Sequence, residues 1–289
     1  MPNSGETQTL DLNELWGEWP MTSSELTVKR GDPVVTDIND LQAQLDQFRA
    51  NSYVVLPDLL SPELVADLNA AWDRDRAEHP YFWYTASSNG TSNLLLTEPI
   101  FEQVVRHPIV LRLVEALMQG PICFEELSVQ VTAPSREARP TGWHRDCGHW
   151  LEHPLHLDYP QIIYYLSDVE EGNHHFTLSP EPADGEVLGT EAQLAHGGSL
   201  PFYGKAGSGI LFNAATLHGA TVAQTEKERR ILQIYYGHEG RPSLAEVTLM
   251  PPRLWKDDPD PEIRRFYGKL NRYTQDMLRW MGASRETTT

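Results

Sequence analysis

The chain is poor in cysteine and in positive charge, and it has no long apolar run. Two cysteines among 289 residues, Cys123 and Cys147, make no disulfide framework and fit a reduced, cytoplasmic setting. Twenty-three basic residues against 41 acidic ones leave a formal net charge of −18. That balance argues against nonspecific binding to nucleic acid or anionic membranes. No apolar stretch is long enough to span a bilayer. The start, Met1-Pro2-Asn3-Ser4-Gly5-Glu6, lacks the basic and apolar regions of a signal peptide. Internal repeats and low-complexity tracts are also missing.

What is present suits an ordinary soluble globular chain, with 40% hydrophobic and 22% charged residues. Its length buries a core within one elaborated domain. Residues 1–35 are polar, with Trp16 and Trp19 as the large anchors, and read as an extension. Residues 36–289 read as a single domain: helical support over 36–120, a β core over 121–250 and a C-terminal helix over 260–281. Ile38, Leu41, Leu45 and Phe48 fall at helical spacing. Tyr53 to Leu56 reads as a short strand, and Ser61-Pro62-Glu63 as a helix start, a capping hydroxyl followed by proline. Tyr81-Phe82-Trp83-Tyr84 either lines a substrate entrance or fills the core. Two helical stretches lie between Pro99 and Met118.

From Ile122 onward, short β-prone segments alternate with Gly, Pro, Asp and Asn: 125–132, 161–166, 207–212, 230–236 and 246–250. That pattern predicts an all-β sandwich or barrel. Ile263, Phe266, Tyr267, Leu270, Met277 and Trp280 form the stripe of the final helix.

The chemistry centres on Trp143-His144-Arg145-Asp146. On an extended segment, residues two apart share a face. His144 and Asp146 can therefore reach one ion together, with Arg145 pointing away. The best third donor is His218. Two histidines and one carboxylate make the facial triad of non-heme Fe(II) oxygenases, with open positions for a co-substrate and O2. Such an iron needs an electron donor, commonly 2-oxoglutarate, whose far carboxylate calls for a cation. Arg229 lies eleven residues after His218. A turn through 224–228 would fold its strand back beside the one ending at His218, bringing Arg229 over the metal. Arg230 is the alternative, because adjacent strand residues face opposite sides. Gln130, Thr132 and Tyr164, on neighbouring predicted strands, are further candidates for holding 2-oxoglutarate.

The ordered set His144-x-Asp146, His218 and Arg229 resembles the phytanoyl-CoA dioxygenase family of Fe(II)/2-oxoglutarate oxygenases. The resemblance spans roughly residues 40 to 240. It includes Phe48 to Glu63, Leu166-Ser167-Asp168-Val169, Gly172-Asn173, and Gly209-Ile210-Leu211-Phe212 leading into His218-Gly219. It departs at Arg145, where Gln is frequent, and at His174-His175 and Ser179-Pro180-Glu181, where the family usually continues to Pro-Gly-Ser-His. The resemblance implies a double-stranded β-helix (jelly-roll, cupin-like) core with flanking helices. It also implies oxidation of a C–H bond of a small organic molecule by Fe(II), 2-oxoglutarate and O2, releasing succinate and CO2. Related halogenases lack a ligating residue at the Asp146 position, so the carboxylate argues for oxygenation; desaturation, epoxidation or cyclisation share the same first step.

Two rivals remain: a cupin-like metal hydrolase or isomerase that has no need of Arg229, and a non-catalytic jelly-roll binding module. His149, His153 and His156 read as a loop over the site rather than a second metal centre. One of His174 and His175 reads as a satisfied core histidine, and Trp143 as a shield or core filler. Segments 81–93, 147–160 and 181–206 are the loops expected to choose the substrate.

Overall fold

The computed structural model describes residues 33–83 and 89–282. Most of the polar extension, Trp16 and Trp19 included, lies outside them, as does Tyr84. Strand alternation then sorts the side chains into two cores. The strands are β1 (Tyr53–Leu56), β2 (Asn89–Thr91), β3 (Ile122–Thr132), β4 (Pro160–Tyr165), β5 (His175–Leu178), β6 (Leu200–Phe202), β7 (Gly209–Asn213), β8 (His218–Thr221) and β9 (Arg229–His238). The major sheet runs β1-β7-β4-β9-β3-β2 and the minor sheet β6-β5-β8, with every pair antiparallel. Bridges Ser135–Thr225, Arg139–Val222 and His144–His218 lay segment 135–144 beside β8 and its continuation, widening the minor sheet. Two facing sheets of this kind form the double-stranded β-helix.

Val54, Leu56, Leu127, Val129, Ile162, Tyr164, Leu211, Leu232, Ile234 and Tyr236 point out of the major sheet into a core shared with the helices. Tyr53, Val55, Ile163, Tyr165, Ile210, Phe212 and Ile231 point inward and meet Phe176, Leu178 and Phe202 of the minor sheet. The two sets interleave residue by residue, as a period of two requires.

The helices Leu41–Asn51, Pro62–Glu78 and Pro108–Met118 flank the outer face. Asp40 caps the first and Ser61 the second, its Oγ accepting from Leu64 N at 3.2 Å. Trp83 packs on Trp72 and donates to Asp75 at 2.8 Å, so this member of the aromatic run belongs to the outer core, while Tyr81 is exposed. The segment expected to be helical support also supplies β1 and β2, the two edges of the major sheet.

Three expectations need correction. First, β8 and β9 form no hairpin. Thr225 exchanges backbone hydrogen bonds with Ser135, β8 pairs with β5, and β9 pairs with β3 and β4. The turn thus carries the chain from one sheet to the other. Second, residues 246–250 form no strand. Side chains take their backbone groups instead: Asn93 accepts from Leu249, Thr274 from Met250, and Asn271 donates to Thr248. Third, the C-terminal helix is two helices, Pro261–Phe266 and Arg272–Trp280. Asn271 caps the second one, accepting from Thr274 N at 2.9 Å, and so starts it afresh. The buried members of the stripe end at Leu270; on the second helix Met277 is half-buried, Leu278 packs on the core and Trp280 is exposed.

Candidate active site

Two backbone hydrogen bonds of 2.9 Å, exchanged between His144 and His218, fasten segment 135–144 to the start of β8. Asp146 N donates to Ala214 O at 3.0 Å, so the turn ahead of His218 also holds the carboxylate's backbone. The approach is close enough to require Gly219: a Cβ there would stand 2.6 Å from Gly142 O. His144, Asp146 and His218 place one donor atom each within 4.8 Å of the others. His144 Nε2 is 3.3 Å from Asp146 Oδ1, and His218 Nε2 is 3.4 Å from Asp146 Oδ2. Adjacent donors each ~2.1 Å from one ion lie ~3 Å apart, so this spacing suits cis positions on a metal.

The tautomers fit as well. Nδ1–H of His144 donates to Gly142 O and that of His218 to Thr216 O, both at 2.8 Å, which leaves each Nε2 lone pair facing the shared point. Tyr235 O–H donates to Asp146 Oδ2 at 2.8 Å. In the metal-free site a proton on Nε2 can stand where the ion would; burial pushes the Asp146 carboxyl up, but the hydrogen bonds from the protonated His144 and His218 and from Tyr235, with the charge of His218, outweigh it. They hold the carboxyl well below the usual range. The hydrogen bond to Asp146 raises the pKa of His144.

Arg145 faces away from this point. It forks onto Glu181 at 2.5 and 2.9 Å and donates to Ala215 O and Leu188 O. It thereby ties the metal segment to the turn before His218 and to the 181–188 loop, and His149 stands 3.3 Å from the same carboxylate. His153 bonds Met118 O, and the buried His174 accepts from Ala223 N and bonds Ala133 O; both are structural. Cys123 and Cys147 are unpaired, and burial pushes both thiols up to about 12.

Next to the three donors is a cavity of about 160 Å³, lined also by Gln130, Ile163, Phe176, Arg229, Ile231, Gln233 and Tyr235. Arg229 reaches it from the opposite sheet, on the face of β9 that carries Ile231, Gln233 and Tyr235. It is 4% exposed, and among the described residues its guanidinium makes one hydrogen bond, from Nη2 to Thr132 Oγ1 at 3.2 Å. Among the described residues, its Nε and Nη1 have no partner. Burial lowers its pKa, yet a guanidinium does not give up its proton in a protein. A buried cation with unmet donors fits a carboxylate.

Arg230 turns outward, onto Asp73, Glu228 and the Trp72 ring. Gln130 lines the cavity and donates to Gln233 at 2.9 Å. Tyr164 is a correction. It sits one residue out of phase, fully buried against the helices, with its hydroxyl on Val104 O. Gln233 and Tyr235 escaped the sequence reading, although both lie in phase with Arg229 and, with it, make one face of the strand polar.

A double-stranded β-helix holding a His-x-Asp…His set and a buried arginine across the barrel defines the class: an Fe(II)- and 2-oxoglutarate-dependent oxygenase. The family model of phytanoyl-CoA dioxygenase matches residues 48–231, and the chain belongs to that family. No curated protein matches the sequence. Among solved structures, the epimerase SnoN in complex with Fe3+, alpha ketoglutarate and nogalamycin RO is 19% identical, with a TM-score of 0.59 over 70% of this chain and 85% of that one. HygX from Streptomyces hygroscopicus, with nickel and 2-oxoglutarate bound, is 16% identical, with a TM-score of 0.57 over 68% and 86%. The carbocyclase SnoK from nogalamycin biosynthesis is 18% identical, with a TM-score of 0.56 over 71% and 87%. At these identities the likeness establishes the fold. Among the described residues, no helix is long and apolar enough to cross a membrane.

Proposed function

We propose that His144, Asp146 and His218 hold Fe(II), that Arg229 binds the distal carboxylate of 2-oxoglutarate, and that the enzyme hydroxylates a C–H bond of a small organic molecule. The observation that carries this is the unmet Arg229 guanidinium in the same cavity as three converging metal donors. Iron, 2-oxoglutarate and O2 together supply the oxidant, with succinate and CO2 as co-products.

The chain's own part is orientation and shielding. Thr132 steadies Arg229, and Tyr235 fixes one Asp146 oxygen so that the other is free to ligate. Gln130, tied to Gln233, offers an amide along the co-substrate's path. Phe176 and Phe212 pack about His218 and keep water from its ring. A small-molecule substrate is supported by the relatives solved with nogalamycin RO or hygromycin B. The net charge of −18 disfavours a polyanionic thioester. Two unpaired cysteines and a ferrous cofactor suit a reducing, cytoplasmic setting.

The test is anaerobic titration of the metal-free protein with Fe(II) and then 2-oxoglutarate, watching for the visible metal-to-ligand charge-transfer band. We expect the band in the wild type, its loss in Asp146→Ala and its weakening in Arg229→Ala. Bound metal without a band would turn the reading to a hydrolase or isomerase. No bound metal would turn it to a binding module.

A further inference from the structure

The inner face of the major sheet can be read in rows. Strand register sets Thr132 opposite Arg229, Gln130 opposite Ile231, Ser128 opposite Gln233 and Glu126 opposite Tyr235; on the other flank Gln161 also faces Tyr235. The row Glu126–Tyr235–Gln161 therefore lies at the end of the barrel away from Arg229. It sits beside Asp146, which Tyr235 touches.

Two members of this row lack what their chemistry calls for. Gln161 is fully buried, and among the described residues neither its Oε1 nor its Nε2 has a hydrogen-bond partner. Glu126 is half-buried, and its company is hydroxyl, from Ser92 at 3.4 Å and from Ser128. No ion pair reaches Glu126 among the described residues. Burial, with the Asp146 charge nearby, pushes its carboxyl up to about 7.

The barrel is thus unfinished at both ends, with opposite signs. Arg229 leaves a cation without an anion, and 2-oxoglutarate answers it. That dianion cannot also answer Glu126, because like charges at close range repel. Building on the proposed function, we propose that the row Glu126–Tyr235–Gln161 is the subsite for the second substrate, and that it reads a protonated amine. Glu126 receives the ammonium as a charge-assisted hydrogen bond, and the Gln161 amide takes a neighbouring polar group. The net charge of −18 draws such a cation toward the mouth.

The test uses the protein loaded anaerobically with Fe(II) and 2-oxoglutarate. n-Butylamine, benzylamine and tyramine are titrated by calorimetry and by the shift of the visible band, each beside its N-acetyl form. We expect at least one amine to bind tenfold or more tighter than its acetylated partner. Glu126→Gln should lose that preference while keeping the band and the 2-oxoglutarate affinity, and Glu126→Asp should restore part of it. Gln161→Leu should weaken binding and leave the preference in place. If no amine binds, if amine and amide bind alike, or if the preference survives in Glu126→Gln, the proposal is overturned. A wild type without the visible band would overturn the oxygenase reading itself, a separate failure seen before any amine is added.

Discussion

Arg229 and Arg230 are neighbours on one strand and meet opposite conditions. Arg230, on the outer face, has its hydrogen-bonding needs met by the protein: Asp73 at 2.9 Å, Glu228 at 2.8 Å, Asn69 at 3.2 Å and the face of Trp72. Arg229, on the inner face, has among the described residues one side-chain bond and two idle nitrogens. The same contrast runs through the sheet. Outward side chains close an apolar core with the helices, and Tyr164 and Tyr236 spend their hydroxyls on helix carbonyls. Inward side chains toward the metal leave donors and acceptors unspent. On these strands Arg230, Tyr164 and Tyr236 find partners within the fold, whereas inward Arg229 and Gln161 keep polar atoms unpartnered among the described residues; an unsatisfied buried group costs stability, so beside the cavity its persistence points to a ligand.

Removing Asp146 should break the inner face most severely. Asp146→Ala should weaken iron binding by orders of magnitude, since it removes the anionic donor of the triad, and in halide-free buffer no visible band should form at Fe(II) concentrations that saturate the wild type. The arginine pair gives the sharper comparison. Two charge-assisted bonds to one carboxylate are worth roughly 3 kcal/mol, so Arg229→Met should raise the KM for 2-oxoglutarate by about 100-fold. The same substitution should leave the ligand-free protein as stable as before, or stabilise it by about 1 kcal/mol, because it removes an unpaired buried charge. Arg230→Met should do the reverse: the KM for 2-oxoglutarate stays, and stability falls by about 1 kcal/mol as its ion pairs and ring contact go. Chemical denaturation of both variants, free and loaded, reads all four signs. Two variants with matching signs would dissolve the distinction between the faces.

The sequence made the triad legible because its chemistry is local. His144 and Asp146 share a face by spacing alone, and His218 and Arg229 follow in a fixed order. Which arginine turns inward was not legible from the offset, since both positions suit a strand. It becomes so once Gln233 and Tyr235 are seen to continue the Arg229 phase while Leu232, Ile234 and Tyr236 continue the other. Tyr164 misled for the same reason: Tyr164 and Tyr165 are alike in type, and β4 is buried on both faces, so composition carries no parity. The crossing from β8 to β9 was hidden because a short polar turn looks the same whether it joins a hairpin or bridges two sheets. Residues 246–250 looked like a strand, but Asn93, Asn271 and Thr274, remote in sequence, take their hydrogen bonds.

A smaller effect tests Tyr235, the link between the metal ligand Asp146 and the row that carries Glu126 and Gln161. Losing one orienting hydrogen bond to a ligand typically costs a factor of ~10 to 100 in metal affinity. Tyr235→Phe should therefore weaken Fe(II) binding by about tenfold without moving the KM for 2-oxoglutarate, as competition with a coloured chelator would show.

The smallest effect concerns Glu126, where the inner face leaves an anion rather than a cation incomplete. Burial raises its carboxyl from 4.5 to about 7. Between those values the folded chain binds more protons at this group than the unfolded chain does, so stability falls as pH rises through the interval, and the loss is complete above it. Glu126→Gln removes the titration. The metal-free variant should show a flatter melting profile between pH 5 and pH 8, and at pH 8 it should melt above the wild type by roughly 3 °C. Differential scanning fluorimetry across that range reads the slope directly. A wild-type slope that survives the substitution would mean that Glu126 is well solvated, and that the barrel's mouth is as complete as its outer face.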